Sequence, residues 1–193
     1  MSMLCCLYRI SPDQLVRLKA FPDAVGELLG LTSPAPAQVG FLSKLFGKQA
    51  AQTAPSERKF EAIAEHDIFE LNQAWHILHF LFSGSQAQGK WPAAFLVDGG
   101  EEIGPDQGYG PARLLAPELS RDIATFLNTQ SFKTLAAAYV ASEIEAAEIY
   151  WQAAPEPRER QRQVEELWSV ASELRTFFER TALAGSATLV SIY

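Results

Sequence analysis

Leu71-Asn72-Gln73-Ala74-Trp75-His76-Ile77-Leu78-His79-Phe80-Leu81-Phe82-Ser83-Gly84, and then Gly99-Gly100-Glu101-Glu102-Ile103-Gly104-Pro105-Asp106-Gln107-Gly108-Tyr109-Gly110-Pro111-Ala112-Arg113, are the two runs whose reading decides the fold. Ile68, Leu71, Trp75, Leu78 and Phe82 recur at spacings of three and four, the period of a helix. Phe69, Ile77, Phe80 and Leu81 fill the other sides, so the sequence predicts a helix surrounded by protein. The second run holds five of the chain's 12 glycines beside an acid, a tyrosine and an arginine, and reads as a loop.

Projected at about 100° per residue, Asn72, His76 and His79 fall on one polar strip of the predicted helix, bordered by Trp75. Buried polar groups left unpaired cost ~1–3 kcal/mol each, so the strip needs partners. Asp106, Tyr109 and the backbone of the glycine loop are the expected ones, with or without a ligand among them. Histidines three apart can share a metal, but there is no His-Glu-x-x-His and no nearby cysteine, so no metal is assigned. His76 and His79 remain candidates for proton transfer or for a structural network.

The glycine loop matches no phosphate or calcium motif. A G-x-G-x-x-G beginning at Gly108 meets Arg113 where glycine is required, a Gly-Lys-Ser/Thr is absent, and the acids lack calcium-loop spacing. Arg113 offers a planar fork for a carboxylate or phosphate, or is neutralised inside the fold by Asp106. Ligand contacts, if any, fall to Asn72, Trp75, Asp106, Tyr109 and Arg113. There is no Gly-x-Ser-x-Gly, and Cys5 and Cys6 lie far in sequence from any histidine, so no nucleophile is assigned. No cofactor is expected.

Outward from these runs, Leu4–Ile10 reads as a strand. Ser11-Pro12-Asp13-Gln14 then has the form of a capping box that starts a helix. Pro22 restarts that helix, which ends at Gly30. Residues 32–56, with Pro34, Pro36 and Pro55, read as an insertion containing a small amphipathic helix around Val39, Phe41, Leu42, Leu45 and Phe46. Phe95-Leu96-Val97 and Ala112–Ala116 are candidate strands. Pro117 opens a helix facing inward through Leu119, Ile123, Phe126 and Leu127, and Ser131–Tyr150 is helical with one break. Pro155 and Pro157 open the longest helix, buried along Val164, Leu167, Ala171, Leu174 and Phe178 and capped by Gly185. Thr188–Tyr193 closes the chain as a strand. Few strands and several helices predict an α+β fold: a single compact domain, 1–193, of helices on a small mixed or antiparallel sheet with room for both chain ends.

Sixteen basic against 23 acidic residues give a net charge of −7, which speaks against a nucleic-acid partner. Adjacent cysteines form no disulfide framework and suit a reducing compartment. No basic segment precedes an apolar run at the start, and no apolar window reaches the ~18 residues of a membrane span. The expected location is cytoplasmic. Oligomeric state is not encoded in these patterns.

Ala74-Trp75-His76-Ile77-Leu78-His79-Phe80-Leu81, Ser83-Gly84-Ser85, Gly99-Gly100, Ile103-Gly104 and Gly108-Tyr109-Gly110-Pro111-Ala112-Arg113 resemble the signature of the YfbM-like family of bacterial proteins. The resemblance spans roughly 4–193 and implies a mixed helix-and-sheet fold, with no activity attached. The chain departs from the pattern at Trp151, where relatives tend to have proline, and at Gln107, where leucine is frequent.

Without a complete catalytic or cofactor motif, the leading reading is a non-catalytic domain that binds a small ligand or interacts with protein. The alternative is an enzyme, a hydrolase or transferase acting on a small anionic ligand. There His76 or His79 would move a proton and Arg113 would hold the anion. A third reading is a purely protein-directed role toward a basic partner, suited to the acidic surface.

Overall fold

The computed structural model describes residues 3–30 and 62–193. The expected insertion at 32–56 lies outside the described residues. Five strands form one antiparallel sheet: β1 (Cys5–Ile10), β2 (Ile68–Asn72), β3 (Glu101–Asp106), β4 (Pro111–Leu115) and β5 (Ala187–Ile192), in the order β2-β1-β5-β4-β3. Both chain ends contribute central strands. The described helices are α1 (Pro12–Ala20), α2 (Val25–Leu28), α3 (Ala74–Ser83), α4 (Pro117–Thr129), α5 (Phe132–Ala138), α6 (Ala141–Ala146) and α7 (Pro157–Leu183).

The sheet is buried on both faces, so β1 and β5 are apolar without a clear alternation. Cys5, Leu7, Leu115 and Val190 belong to the larger core, with α3, α4, α5, α6 and α7. Cys6, Tyr8, Ile10, Leu114 and Leu189 face the smaller core, closed by Leu18 of α1 and by Val25 and Leu28 of α2. Helix α7 places Val164, Leu167, Ala171, Leu174 and Phe178 inward, the predicted seam. Each large side chain so buried contributes about 2 kcal/mol. Ser120 of α4 and Thr188 of β5 share a buried hydrogen bond of 3.0 Å, fixing that helix to the sheet.

Local signals account for most boundaries. Ser11 Oγ accepts the Gln14 N–H while the Gln14 side chain accepts the Ser11 N–H, the capping box that starts α1. Pro117 and Pro157 occupy first helical positions, where a missing N–H costs nothing. The break in 131–150 falls at Tyr139–Val140, between α5 and α6.

Three expectations are corrected. The predicted helix from Ile68 begins only at Ala74, because Ile68–Asn72 pairs with β1 as an edge strand. Ile68 packs on the smaller core and Phe69 and Leu71 on the larger, and apolar residues on both faces mimic a helix period over so short a run. Asn72 ends that strand with φ +48, a left-handed conformation asparagine tolerates, and thereby turns the chain into α3. Phe95-Leu96-Val97 is not a strand but part of a compact turn over 91–98, whose carbonyls are satisfied by an arginine instead of a neighbouring strand. Conversely, Glu101–Asp106 is strand β3 and not loop; Gly104 and Pro105 hid it, and the register with β4 is irregular between Ile103 and Asp106.

Candidate functional site

The polar strip expected on one helix does not form. Asn72 sits exposed at the end of β2, while His76 and His79 are buried on α3. Trp75, also buried, donates its indole N–H to the Met3 carbonyl at 3.3 Å, and its ring stacks on His76 with 4.5 Å between centroids.

His76 has a backbone partner on each ring nitrogen. Nδ1 accepts the Tyr150 N–H at 2.9 Å, and Nε2 lies 3.0 Å from the Gln86 carbonyl oxygen. An imidazole protonated on Nε2 satisfies both contacts at once. Burial pushes its pKa below the ordinary histidine value, with the Gln86 carbonyl opposing. The ring thus pins the loop after α3 to the segment after α6.

His79 is fully buried. Its Nε2 lies 3.3 Å from Ser83 Oγ, and its Nδ1 has no partner among the described residues. Burial, His76 and the positive charge of Arg113 push its pKa down to about 4, opposed by the Gln88 carbonyl. Ser83 extends the tie, since its Oγ donates to the Ser85 carbonyl and accepts the Ser85 N–H. The partners expected for the histidines, Asp106 and Tyr109, are therefore replaced by Gln86, Tyr150 and Ser83.

Arg113 points from β4 into the turn over 91–98. Its Nη1 donates to the carbonyls of Asp98 at 2.7 Å and Gly99 at 2.9 Å, and its Nη2 to those of Leu96 at 2.7 Å and Phe95 at 3.2 Å. Burial pulls its pKa below the arginine norm, with Asp98 and Glu102 among the charges that oppose this. Asp106 does not neutralise it. Instead Asp106 Oδ1 accepts the Gly108 N–H at 2.7 Å and the Gly110 N–H at 2.9 Å, which holds its pKa below the ordinary value and folds the β3–β4 loop.

That loop presents Tyr109, 49% exposed, at the rim of a cleft of about 200 Å3. Glu102, Tyr109, Arg113, Val97, Val190 and Ile192 line it, with Gly110 and Pro111. The placement follows from register: Glu102 of β3, Arg113 of β4 and Val190 of β5 form one cross-strand row on the larger-core face. Farther along this row, Leu7 and Phe69 lie in the helix-packed larger core, whereas Val97 of the turn flanks the row at the β3–β4–β5 corner. Of the expected site residues, Tyr109 and Arg113 thus line the cleft, and Asn72, Trp75, His76, His79 and Asp106 do not. Glu102, Val190 and Ile192 were not expected. Glu102 was hidden by the reading of β3 as loop, and the two apolar residues carried no signal beyond strand propensity.

The fold is that of an α+β protein with a five-stranded antiparallel sheet among the described residues and a small open cleft at one sheet corner. The chain belongs to the DUF1877 family, a domain of unknown function, whose model matches residues 1–191. Among solved structures it is similar to YfbM from Escherichia coli, described as a protein of unknown function. Identity there is 13%, the match covers 98% of this chain and 99% of that one, and the TM-score is 0.67. At that identity the likeness establishes the fold, and it agrees with the YfbM-like resemblance of the two sequence runs. No curated protein matches the chain. No helix among the described residues is long and apolar enough to cross a membrane.

Proposed function

We propose that this chain, as one domain over 1–193, binds a small molecule in the cleft at the β3–β4–β5 corner. One observation carries the reading: Glu102, Tyr109 and Arg113, each with bonding capacity to spare, line one cleft together with Val97, Val190 and Ile192. The Glu102 carboxylate and the Tyr109 hydroxyl have no hydrogen-bond partner among the described residues, and neither does the Nε–H of Arg113. A few convergent polar groups on apolar lining are the usual composition of a ligand site. The volume is below the ~300–1,000 Å3 of sites for drug-sized ligands, so the occupant is smaller than these.

The enzyme alternative draws less support. For His76 to carry a proton it must release the Tyr150 N–H or the Gln86 carbonyl, and His79 offers a substrate no accessible surface. A thermal-shift screen of small metabolites tests the binding reading. Compounds that raise the Tm of the wild type are expected to lose that effect in Tyr109→Ala, a change at a half-exposed side chain. Compounds that stabilise both proteins equally contradict the cleft as the site.

A further inference from the structure

We infer that the ligand of this cleft carries a small ammonium group, held by Glu102 beside the Tyr109 ring. The inference rests on the cleft being the binding site and concerns which charge it selects. Arg113 would suggest an anion, and the arrangement around it argues otherwise. Four carbonyl oxygens, from Phe95, Leu96, Asp98 and Gly99, already surround the two terminal guanidinium nitrogens. Their negative dipole ends offset the positive charge where an anion would have to feel it. Only Nε–H is left, a single donor in place of the two-pronged fork by which arginine grips carboxylate or phosphate.

The acids around the cleft are disposed the other way. Residues 98–113 contain Asp98, Glu101, Glu102 and Asp106 against Arg113 alone, so the local charge is negative. Asp106 is committed to the Gly108 and Gly110 N–H groups, and Asp98 accepts the Gly99 N–H at 2.7 Å. Glu102 lines the cleft with neither kind of commitment, directly across the strand pair from Arg113. Tyr109 adds an aromatic ring at the rim, a surface that attracts a cation through its quadrupole. Val97, Val190 and Ile192 supply an apolar wall for a short hydrocarbon portion. A carboxylate, an aromatic ring and an aliphatic wall together match a small alkylammonium compound; the remaining Arg113 N–H accommodates a neutral acceptor or a carboxylate elsewhere on the same molecule.

Amide chemical-shift titrations of the isotope-labelled full chain, with n-butylammonium, butyrate and n-butanol as probes, separate the possibilities. The expected result is saturable shifts at Tyr109, Gly110, Val190 and Ile192 with n-butylammonium, and at least tenfold weaker binding of that probe to Glu102→Gln. Glu102 is exposed, so the substitution leaves the fold intact. Binding of butyrate in preference to n-butylammonium, or undiminished n-butylammonium binding in Glu102→Gln, overturns the ammonium inference while leaving the cleft as a site. Absence of shifts at these four residues with every probe, at concentrations that shift resonances elsewhere, overturns the cleft reading and the inference together.

Discussion

Arg113 and Glu102 are cross-strand partners on β4 and β3, yet the two opposite charges form no ion pair. The guanidinium turns instead to four backbone carbonyls of the turn between α3 and β3. This choice makes Arg113 the closure of the turn and leaves the Glu102 carboxylate in the cleft without a hydrogen-bond or ion-pair partner among the described residues.

Arg113→Lys should therefore behave as a structural lesion. An ammonium has three donors at one point and cannot reach carbonyls spread from Phe95 to Gly99. Leaving even two of them unsatisfied costs about 3 kcal/mol of stability. Urea unfolding followed by circular dichroism measures this, and a loss below about 0.5 kcal/mol would show that the carbonyls find other donors.

Stability should depend on pH through His79. Its folded pKa of about 4 lies below the ordinary value near 6.5, so the unfolded chain binds the proton more readily. The stability due to the neutral ring is complete above pH about 6.5, falls as pH drops toward 4, and changes no further below that. The loss amounts to about 3 kcal/mol at most. His79→Gln keeps a polar side chain and removes the titration. The difference in unfolding free energy between wild type and variant, measured at pH 7 and pH 4.5, should shrink at the lower pH. A difference independent of pH would contradict the buried neutral histidine.

Two glycines on either side of β3 should respond differently. Gly99 has φ +83, and a Cβ there would lie 2.4 Å from the Trp91 ring; Gly110 has φ +95 but nothing within 4 Å. Gly110→Ala carries only backbone strain, about 1–2 kcal/mol. Gly99→Ala adds a steric clash with a ring packed against the core and should lower the Tm by clearly more. Equal Tm losses would refute the close approach of Trp91.

The parts of this fold that sequence declared most plainly are those with local punctuation. Ser11-Pro12-Asp13-Gln14, Pro117, Pro157 and Gly185 mark helix ends by chemistry that acts within a turn of chain. The edge strand Ile68–Asn72 was illegible because pairing with β1 comes from 60 or more residues away, and its apolar residues fit either period. The turn at Phe95-Leu96-Val97 was illegible for a related reason: its carbonyls depend on Arg113, a residue on another element. For the site, Tyr109 and Arg113 stood out by residue type. Glu102 joined them only through strand register, which a glycine- and proline-bearing segment conceals. The histidines drew the eye as chemistry, and their geometry is that of pins between loops.

The most direct measurement is a residue-resolved amide shift map of the full chain with any compound that the thermal-shift screen returns. The largest shifts are predicted at Tyr109, Gly110, Val190 and Ile192, where the β3–β4 loop meets β5. Shifts concentrated at His76, His79, Gln86 and Tyr150, with those four cleft residues unmoved, would place the site on the histidine helix and contradict the account.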